Sequence, residues 1–134
     1  MIKIGDQAKL MKRISEKDVL LFSEISGDKN PIHLNQEYAE KSIFCKRIAH
    51  GMLSASFISN VIGNQLPGEG TIYLKQTLNF CKPVYFGDLI TTIVEVIDID
   101  YDRANIKLDT KCINQEGMIV IEGEAYVKNR KSLQ

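Results

Sequence analysis

Two hydrophobic periods divide the chain into a helical part and a strand-rich part. The segment from Gly51 to Ile62 contains no charged residue, and its apolar side chains fall on most faces of a helix. Such a segment is typical of a buried helix of about 18 Å, which we expect to end at Gly63. After residue 70 the apolar positions recur with a period of two, the pattern of half-buried strands. The predicted strands cover residues 71–80, 89–99, 106–112 and 119–127.

The first third of the chain predicts one strand and two peripheral helices. A strand is expected over residues 8–14, and Ser15, with an acidic residue three positions later, is typical of a helix N-terminus. Gly27 is the expected C-terminal glycine of that helix. Asn35 is placed to cap a second short helix over residues 36–41. The apolar stripe of the first helix is Val19, Phe22 and Ile25.

This order of elements predicts an α+β domain in which an antiparallel sheet curls around one helix. We expect a single domain over residues 1–134, because a chain of this length suits one core. Such a sheet has a second face and edge strands that need cover, so we expect a homodimer that joins two sheets. The polar tail from Lys128 is expected to fray.

Composition and charge narrow the classes of function. The 134 residues are 44% hydrophobic and 25% charged, and 17 basic residues balance 17 acidic ones. A net charge of zero disfavours a nucleic-acid binder that relies on a broad basic surface. No apolar run approaches the roughly 20 residues that span a bilayer, and the N-terminus lacks the apolar core of a signal peptide. We therefore expect a cytoplasmic protein with no membrane or nucleic-acid partner.

The three cysteines, Cys45, Cys81 and Cys112, are an odd number and lack the close spacing of a metal site. Reduced and mostly buried thiols in the cytoplasm are the expected state. A nucleophilic cysteine is the functional alternative, and it requires a base close by in space.

One short segment combines a carboxylate and an imidazole. Asp28 and His33 lie five residues apart in Ser-Gly-Asp-Lys-Asn-Pro-Ile-His, and Pro31 restricts both its own φ angle and the geometry of Asn30. Carboxyl groups and imidazoles are common partners in general acid–base catalysis. Asp28 and Asn30 are also good turn residues, and His33 between two apolar neighbours also fits a structural histidine. The segment alone leaves both interpretations open.

A longer stretch carries a family resemblance. Residues 22–33, followed by Ala39, resemble the signature of the MaoC-like, R-specific (type-2) enoyl-CoA hydratases. They read Phe-Ser-Glu-Ile-Ser-Gly-Asp-Lys-Asn-Pro-Ile-His. The resemblance continues through residues 47–53, 65–74 and 82–88, so it covers nearly the whole chain. It implies a hot dog fold, in which an antiparallel sheet encloses a central helix and dimers form through the sheets. It also implies a lyase of fatty acid metabolism that hydrates a trans-2-enoyl-CoA reversibly to a (3R)-3-hydroxyacyl-CoA.

The resemblance implies roles for three residues in this reaction. Asp28 and His33 would hold the attacking water, remove one of its protons and deliver a proton to the α-carbon of the substrate. Gly51 would donate its backbone N–H to the thioester oxygen. That role also has a physical reason, since the first N–H groups of a helix lack partners and lie at its positive end. No metal or cofactor is implied besides the CoA of the substrate.

Further residues are implied in substrate binding. Asn30 would position the loop or the substrate, and Ser59 would line the pocket of a short-chain enzyme. Ser59 also fits a small polar residue that allows close packing. His50 is expected to have a structural role at the entrance of the helix. The acyl tail would lie along that helix near Ile58, Val61 and Ile62.

Three other functions are alternatives within the same fold. A (3R)-hydroxyacyl-[acyl carrier protein] dehydratase has the same chemistry and needs a basic docking surface. A hot dog acyl-CoA thioesterase commonly carries an acidic residue on or beside the central helix, and residues 51–62 contain none. A non-catalytic acyl-CoA-binding protein is disfavoured because the Asp–His pair is intact.

Overall fold

The structure is a computed structural model that describes residues 1–134. One strand and three peripheral helices precede a longer helix, and five strands follow it. No helix is both long enough and apolar enough to cross a membrane. The elements in chain order are β1 (Gln7–Arg13), α1 (Glu16–Ser26), α2 (Pro31–Leu34), α3 (Gln36–Glu40), α4 (Gly51–Asn64), β2 (Ile72–Gln76), β3 (Asn79–Phe80), β4 (Leu89–Asp100), β5 (Asn105–Ile113), β6 (Ile119–Lys128) and a 3₁₀ turn (Lys131–Leu133).

The six strands form one antiparallel sheet that packs on α4. The strand order is β1-β4-β5-β6-β2, and β3 pairs with β6 beyond the end of β2. The helix contacts β1, β4, β5 and β6, so the sheet curves around it. This arrangement confirms the α+β hot dog fold expected from the sequence. β1 and β2 are the two edges of the sheet.

Alternate residues of the central strands form the sheet's side of the core. Every second residue is buried from Ile90 to Val96 in β4 and from Ile106 to Cys112 in β5. A strand period of two places all of them on one face, where they pack against α4. Full burial of each Ile, Leu or Val side chain contributes about 1.5–3 kcal/mol. The buried residues of α4 are Leu53, Ser54, Ala55, Ile58, Val61 and Ile62.

In the single chain α4 is buried on one side only, which corrects the expectation of a helix buried nearly all round. Its opposite face carries small and polar residues and is exposed. The helix also continues one residue past Gly63, because this glycine keeps a negative φ and does not form a C-terminal cap. The exposed positions of α4 include Met52, Ser56, Ser59, Asn60 and Gly63.

The predicted ends of α1 are confirmed, but the prediction of its apolar stripe is only partly correct. Ser15 forms a reciprocal capping box with the acidic residue three positions later, and Gly27 closes the helix with a φ of 79°. Val19 is buried, whereas Ile25 is 86% exposed. Six helical steps of about 100° place Ile25 about 120° away from Val19, on the outer flank. Ser23, about one turn after Val19, takes the inward position instead.

The strand predicted over 71–80 is two strands, β2 and β3, separated at residues 77–78. At the break the N–H of Thr77 donates to the carbonyl of Glu124 at 2.9 Å. The backbone of Thr77 therefore lies directly on β6, and a Cβ added to Gly123 would be 1.8 Å from the carbonyl oxygen of Thr77. A glycine at position 123 is what allows this close approach of two backbones.

The expectation of mostly buried thiols is wrong. Cys45, in the connection between α3 and α4, and Cys81, directly after β3, are exposed, and only Cys112 is buried. Burial raises the pKa of the Cys112 thiol, which keeps it protonated and unreactive. The two exposed thiols donate to nearby backbone carbonyls and contact no base. The alternative of a nucleophilic cysteine therefore gains no support.

The C-terminal tail is tied down, which corrects the expectation that it frays. The side chain of Asn129 is buried, and its Nδ2 donates to the carbonyl of Glu69 at 3.1 Å and to Oγ1 of Thr71 at 2.9 Å. Its Oδ1 accepts the N–H of Ser132 at 2.8 Å. One buried amide thus links the tail to the turn that follows α4, where its donors and acceptors all have partners.

Replacement of Asn129 with Asp is expected to lower the free energy of unfolding by about 2 kcal/mol. The carboxyl group keeps the acceptor for Ser132 but presents oxygen to the carbonyl of Glu69. Urea unfolding of the variant and the wild type measures the loss. Lys131→Ala is the control, because it removes only an exposed ion pair with Glu69 and should cost less than about 0.5 kcal/mol. A loss for Asn129→Asp no larger than that of the control would contradict the prediction.

Candidate active site

Asp28 and His33 lie on the connection between α1 and α3. Asp28 is exposed, and its Oδ1 accepts the N–H of Asn30 at 3.2 Å. Asn30 in turn caps α2, a one-turn helix that was not predicted, by accepting the N–H of Ile32 at 3.2 Å. Pro31 holds the first position of this helix, as expected of proline. The segment is therefore both an ordered turn and the support of the Asp–His pair, and Asn30 positions the loop.

The imidazole of His33 is fixed in one protonation pattern. Its Nδ1 lies 2.7 Å from the carbonyl oxygen of Ile48, which can only accept, so Nδ1 carries the proton. The lone pair of Nε2 is left to act on a ligand. Burial lowers the pKa of His33 below its ordinary value of 6.5 and neighbouring His50 adds to this, while the Ile48 carbonyl and Asp28 oppose it. At neutral pH His33 is thus a neutral base.

His50 contacts both members of the pair. Its ring stacks on the ring of His33, with centroids 3.8 Å apart and an interplanar angle of 25°. Its Nε2 lies 3.0 Å from the backbone oxygen of Asp28 and 3.1 Å from Oγ of Ser23. His50 is buried and is the residue directly before α4. These contacts agree with the structural role expected for it at the helix entrance.

The cluster does not fit a metal ion, although one ligand atom each of Asp28, His33 and His50 lie within 4.8 Å of one another. Stacked rings direct their in-plane lone pairs along nearly parallel planes, not toward one point between the rings. The hydrogen bonds to Ile48 and Asp28 also occupy one nitrogen of each ring. The arrangement suits hydrogen bonding to a water better than coordination of a cation.

Gly51 lies at the N-terminus of α4, beside an apolar cavity of about 520 Å³. The amides of Gly51 and Met52 donate to no protein acceptor, whereas the next amide bonds to the carbonyl of His50 at 3.1 Å. The ring of Phe80 lies against Gly51, and a Cβ there would be 2.7 Å from two of its carbons. The cavity therefore has free helix amides at one wall, where they can receive an oxyanion. Lys82 is a charged residue at its lining.

The predicted substrate-binding residues on α4 are not at this cavity. Ser59 is exposed on the outer face of the helix, and Ile62 is 1% exposed within the core. Ile58 and Val61 are enclosed in the same core. In the single chain this cavity lies on the Phe80 side of Gly51, and a second cavity lies between α1 and α4. The roles of Ser59 and Ile62 in substrate binding stay predictions.

Three contributors to the site were missed from the sequence. The carbonyl of Ile48 and the ring of Phe80 have no local signal, because a backbone oxygen and an apolar ring look alike at any position. Ser23 did have a local signal in the sequence. It is a polar residue one turn from Val19 on the inward face of α1, where an apolar residue is expected.

The free energy of unfolding is expected to fall as the pH drops below about 6.5, in part through His33. Its pKa is lower in the folded chain than in the unfolded chain, so the unfolded chain binds this proton more tightly. Above 6.5 both states hold a neutral ring and the contribution is constant. Urea unfolding on either side of pH 6.5 measures the slope in the wild type and in His33→Gln. The slope should be shallower in the variant, and equal slopes would contradict the assigned shift.

Asp28 and His33 thus lie beside the first turn of a helix that packs on a hot dog sheet, an arrangement that suits acid–base chemistry. The chain belongs to the MaoC-like domain family, whose model matches residues 3–117. This match spans both members of the pair, Gly51 and the cavity wall at Phe80. The resemblance read from the sequence is thereby confirmed.

Named relatives cover almost the whole chain. An (R)-specific enoyl-CoA hydratase of Rhodospirillum rubrum is 48% identical over 126 residues, which are 94% of this chain and 87% of that protein. A mitochondrial 3-hydroxyacyl-[acyl-carrier-protein] dehydratase of Solanum lycopersicum is 39% identical over 93% of this chain and 76% of its own length. A solved structure of the (R)-hydratase from A. caviae involved in PHA biosynthesis superposes with a TM-score of 0.92 and 42% identity, covering 95% of this chain and 96% of that one.

Proposed function

We propose that this protein is an (R)-specific enoyl-CoA hydratase, a hydro-lyase that interconverts trans-2-enoyl-CoA and (3R)-3-hydroxyacyl-CoA. The observation that carries the proposal is a neutral imidazole with a free Nε2, grouped with the Asp28 carboxyl at the N-terminus of α4. Similarity to named (R)-hydratases over most of the chain supports the same substrate class.

The proposed chemistry needs only groups that this site holds. A water bound by Asp28 and His33 attacks the β-carbon, and Nε2 of His33 accepts one proton as the new C–O bond forms. A proton is returned from the pair to the α-carbon, so the carbon–carbon double bond is consumed and both side chains end as they began. Meanwhile the amide of Gly51 donates to the thioester oxygen, where negative charge develops. Acid–base catalysis of this type contributes about 10²–10⁴-fold.

The second candidate keeps this chemistry and changes the carrier of the acyl group. A 3-hydroxyacyl-[acyl carrier protein] dehydratase is favoured by one observation, the similarity to the tomato enzyme. A thioesterase is less well supported, because α4 carries no carboxylate that could activate water from the helix.

One assay separates these functions. Purified protein is given crotonyl-CoA, and loss of the absorbance of the conjugated thioester is followed together with release of free thiol. Hydration without thiol release supports the hydratase. Thiol release would identify a thioesterase, and turnover of crotonyl-[acyl carrier protein] without turnover of the CoA ester would move the assignment to the dehydratase.

We also propose that this enzyme needs no metal or cofactor and that it is located in the cytoplasm. Acid–base hydration needs no redox or Lewis-acid group, and the stacked rings of His33 and His50 are poorly placed as metal ligands. Three free thiols fit a reducing compartment. Substrate and product are both CoA thioesters of fatty acid metabolism.

We also propose a homodimer in which two sheets join at β2. This edge strand has no partner on its outer side. It exposes a run of large apolar side chains, and the outer face of α4 is uncovered as well. Edge strands of this kind and large apolar patches are typical of subunit interfaces. The exposed run consists of Ile72, Tyr73 and Leu74.

Leu74→Lys is expected to convert the dimer to a monomer, because it places a charge on the proposed junction. Light scattering after size exclusion should give twice 15.1 kDa for the wild type and 15.1 kDa for the variant. Met11→Lys is the matched control, since Met11 is equally exposed but lies on the opposite edge strand, β1. A wild-type monomer, or dissociation by Met11→Lys alone, would contradict the proposed interface.

A further inference from the structure

His50 is one of only two histidines in the chain, and the proposed chemistry does not use it. It is not placed as a general base for a substrate in the cavity, because its Nε2 bonds to Asp28 and Ser23 and its Nδ1 is buried. The ring of Phe22 also packs against it, with ring centroids 5.0 Å apart and an interplanar angle of 59°. Burial of a polar ring is unfavourable unless its contacts compensate for the lost hydration. The specific contacts of His50 therefore indicate what this buried imidazole does.

The hydrogen bonds of His50 determine which nitrogen carries its proton. The backbone oxygen of Asp28 can only accept, so Nε2 of His50 is the donor, and Oγ of Ser23 is the second acceptor. Nδ1 of His50 is buried and has no partner. The two stacked rings therefore use opposite nitrogens: His33 donates from Nδ1 to Ile48, and His50 donates from Nε2 to Asp28.

We propose that His50 is a positioning residue that holds Asp28, His33 and Gly51 in one geometry. Its N–H fixes the backbone at Asp28, its ring face fixes the ring of His33, and its own backbone leads directly into Gly51. His50 thus contacts both members of the pair and adjoins the proposed oxyanion donor. This inference rests on the proposed hydratase function and assigns that site a further residue.

The stack also has an electrostatic consequence for His33. A second imidazole 3.8 Å away disfavours a positive charge on His33, which lowers the pKa of His33 in the same direction as burial. The ring of His50 thus helps keep the lone pair on Nε2 of His33, while the N–H of His50 holds the backbone of Asp28.

Three variants separate the two contacts of His50. His50→Phe keeps a ring for the stack but loses the N–H, and His50→Gln keeps a donor but loses the ring. His50→Leu loses both. We expect kcat for crotonyl-CoA to fall about 10- to 100-fold in the Phe and Gln variants and further in the Leu variant, since small misplacements of reacting groups have effects of this size. KM should change less than about threefold, because no contact with substrate is removed.

A purely structural role predicts a different result. In that case the variants lose thermal stability, but the folded fraction retains the wild-type kcat, and this outcome would overturn the inference. Unfolding of His50→Leu does not remove the test, because the Phe and Gln variants each keep one of the two contacts and most of the volume of the side chain.

A measurement without substrate distinguishes failure of this inference from failure of the proposed function. The titration of His33 is followed by the NMR signals of its ring, with Asp28→Asn made in the wild-type and His50→Gln backgrounds. Because Asp28 raises the pKa of His33, Asp28→Asn should lower that pKa, and the shift should be smaller without His50. Equal shifts in both backgrounds would overturn the inference. If the wild type hydrates no enoyl thioester, the proposed function fails, and this titration still decides whether His50 holds the pair together.

Discussion

His33→Gln and Asp28→Asn are each expected to reduce kcat for crotonyl-CoA hydration by about 10²–10⁴-fold, the usual contribution of general acid–base catalysis. Glutamine at position 33 offers an amide that can still donate to the carbonyl of Ile48, but it has no basic lone pair. Asparagine at position 28 can still accept the N–H of Asn30 through its side-chain oxygen, so the turn is preserved. Initial rates at saturating substrate, with circular dichroism to confirm folding, measure the effect.

The two losses are not expected to add. If one water is held by both side chains, removal of either partner disables the unit, and Asp28→Asn/His33→Gln should be little slower than the worse single variant. Glu37→Gln serves as the control, because it removes an exposed carboxylate on the neighbouring helix α3. It should retain the wild-type rate. Retention of full hydration by both single variants would show that the site lies elsewhere.

Local signals in the sequence predicted the ends of the peripheral helices α1 and α3 well. The caps at Ser15, Gly27 and Asn35 depend on residues within four positions of one another, so they can be read from the chain directly. The period of two in the later strands was equally informative, because each strand has one face on the core. These features account for most of the fold.

Features that depend on distant partners could not be predicted in this way. The buried Asn129 looked like part of a polar tail, because the carbonyl it binds, that of Glu69, is 60 positions away. Ile25 looked like a core residue, but the orientation of α1 against the sheet places it in solvent. Residues 71–80 read as one strand, because nothing nearby signals the crossing at Gly123.

The same distinction between local signals and contacts with distant residues applies to the site. Asp28 and His33 are five residues apart, so the sequence shows them as a pair. The contacts that set the protonation of His33 and hold Asp28 span 15 and 22 positions and involve backbone oxygens. The motif therefore identifies the candidate pair, whereas the tautomer of His33 and the contacts of His50 follow only from the fold.

Gly51 shows how the structure refines a physical argument. From the sequence, residue 51 was expected to present a free N–H at the positive end of the helix. The structure adds a reason for glycine itself at this position, because the ring of Phe80 occupies the space that a Cβ would need. Phe80 belongs to β3, so the position of this short strand on β6 helps shape the cavity beside the free amides.

Gly123→Ala is expected to be the most destabilising single-methyl substitution in the sheet. The new Cβ would lie 1.8 Å from the carbonyl oxygen and 2.7 Å from the carbonyl carbon of Thr77, and both are backbone atoms that no rotamer change can move. The β2–β3 segment must shift away from β6, which breaks the hydrogen bonds between Thr77 and Glu124. We expect a loss of about 3 kcal/mol or more, and a melting temperature lower by about 10 °C or more. Differential scanning calorimetry measures both.

Gly117→Ala is the matched control for this prediction, because Gly117 has a φ of 77° but open space around its Cα. Its expected cost is only the strain of a left-handed alanine, about 1–2 kcal/mol. The comparison separates a backbone collision from conformational strain. Displacement of β3 by Gly123→Ala should also move Phe80 from Gly51, so the folded fraction of this variant should hydrate crotonyl-CoA more slowly, whereas that of Gly117→Ala should not. A Gly123→Ala protein as stable as Gly117→Ala would mean that β2 and β3 can leave β6 at little cost, and would contradict the close crossing at Thr77.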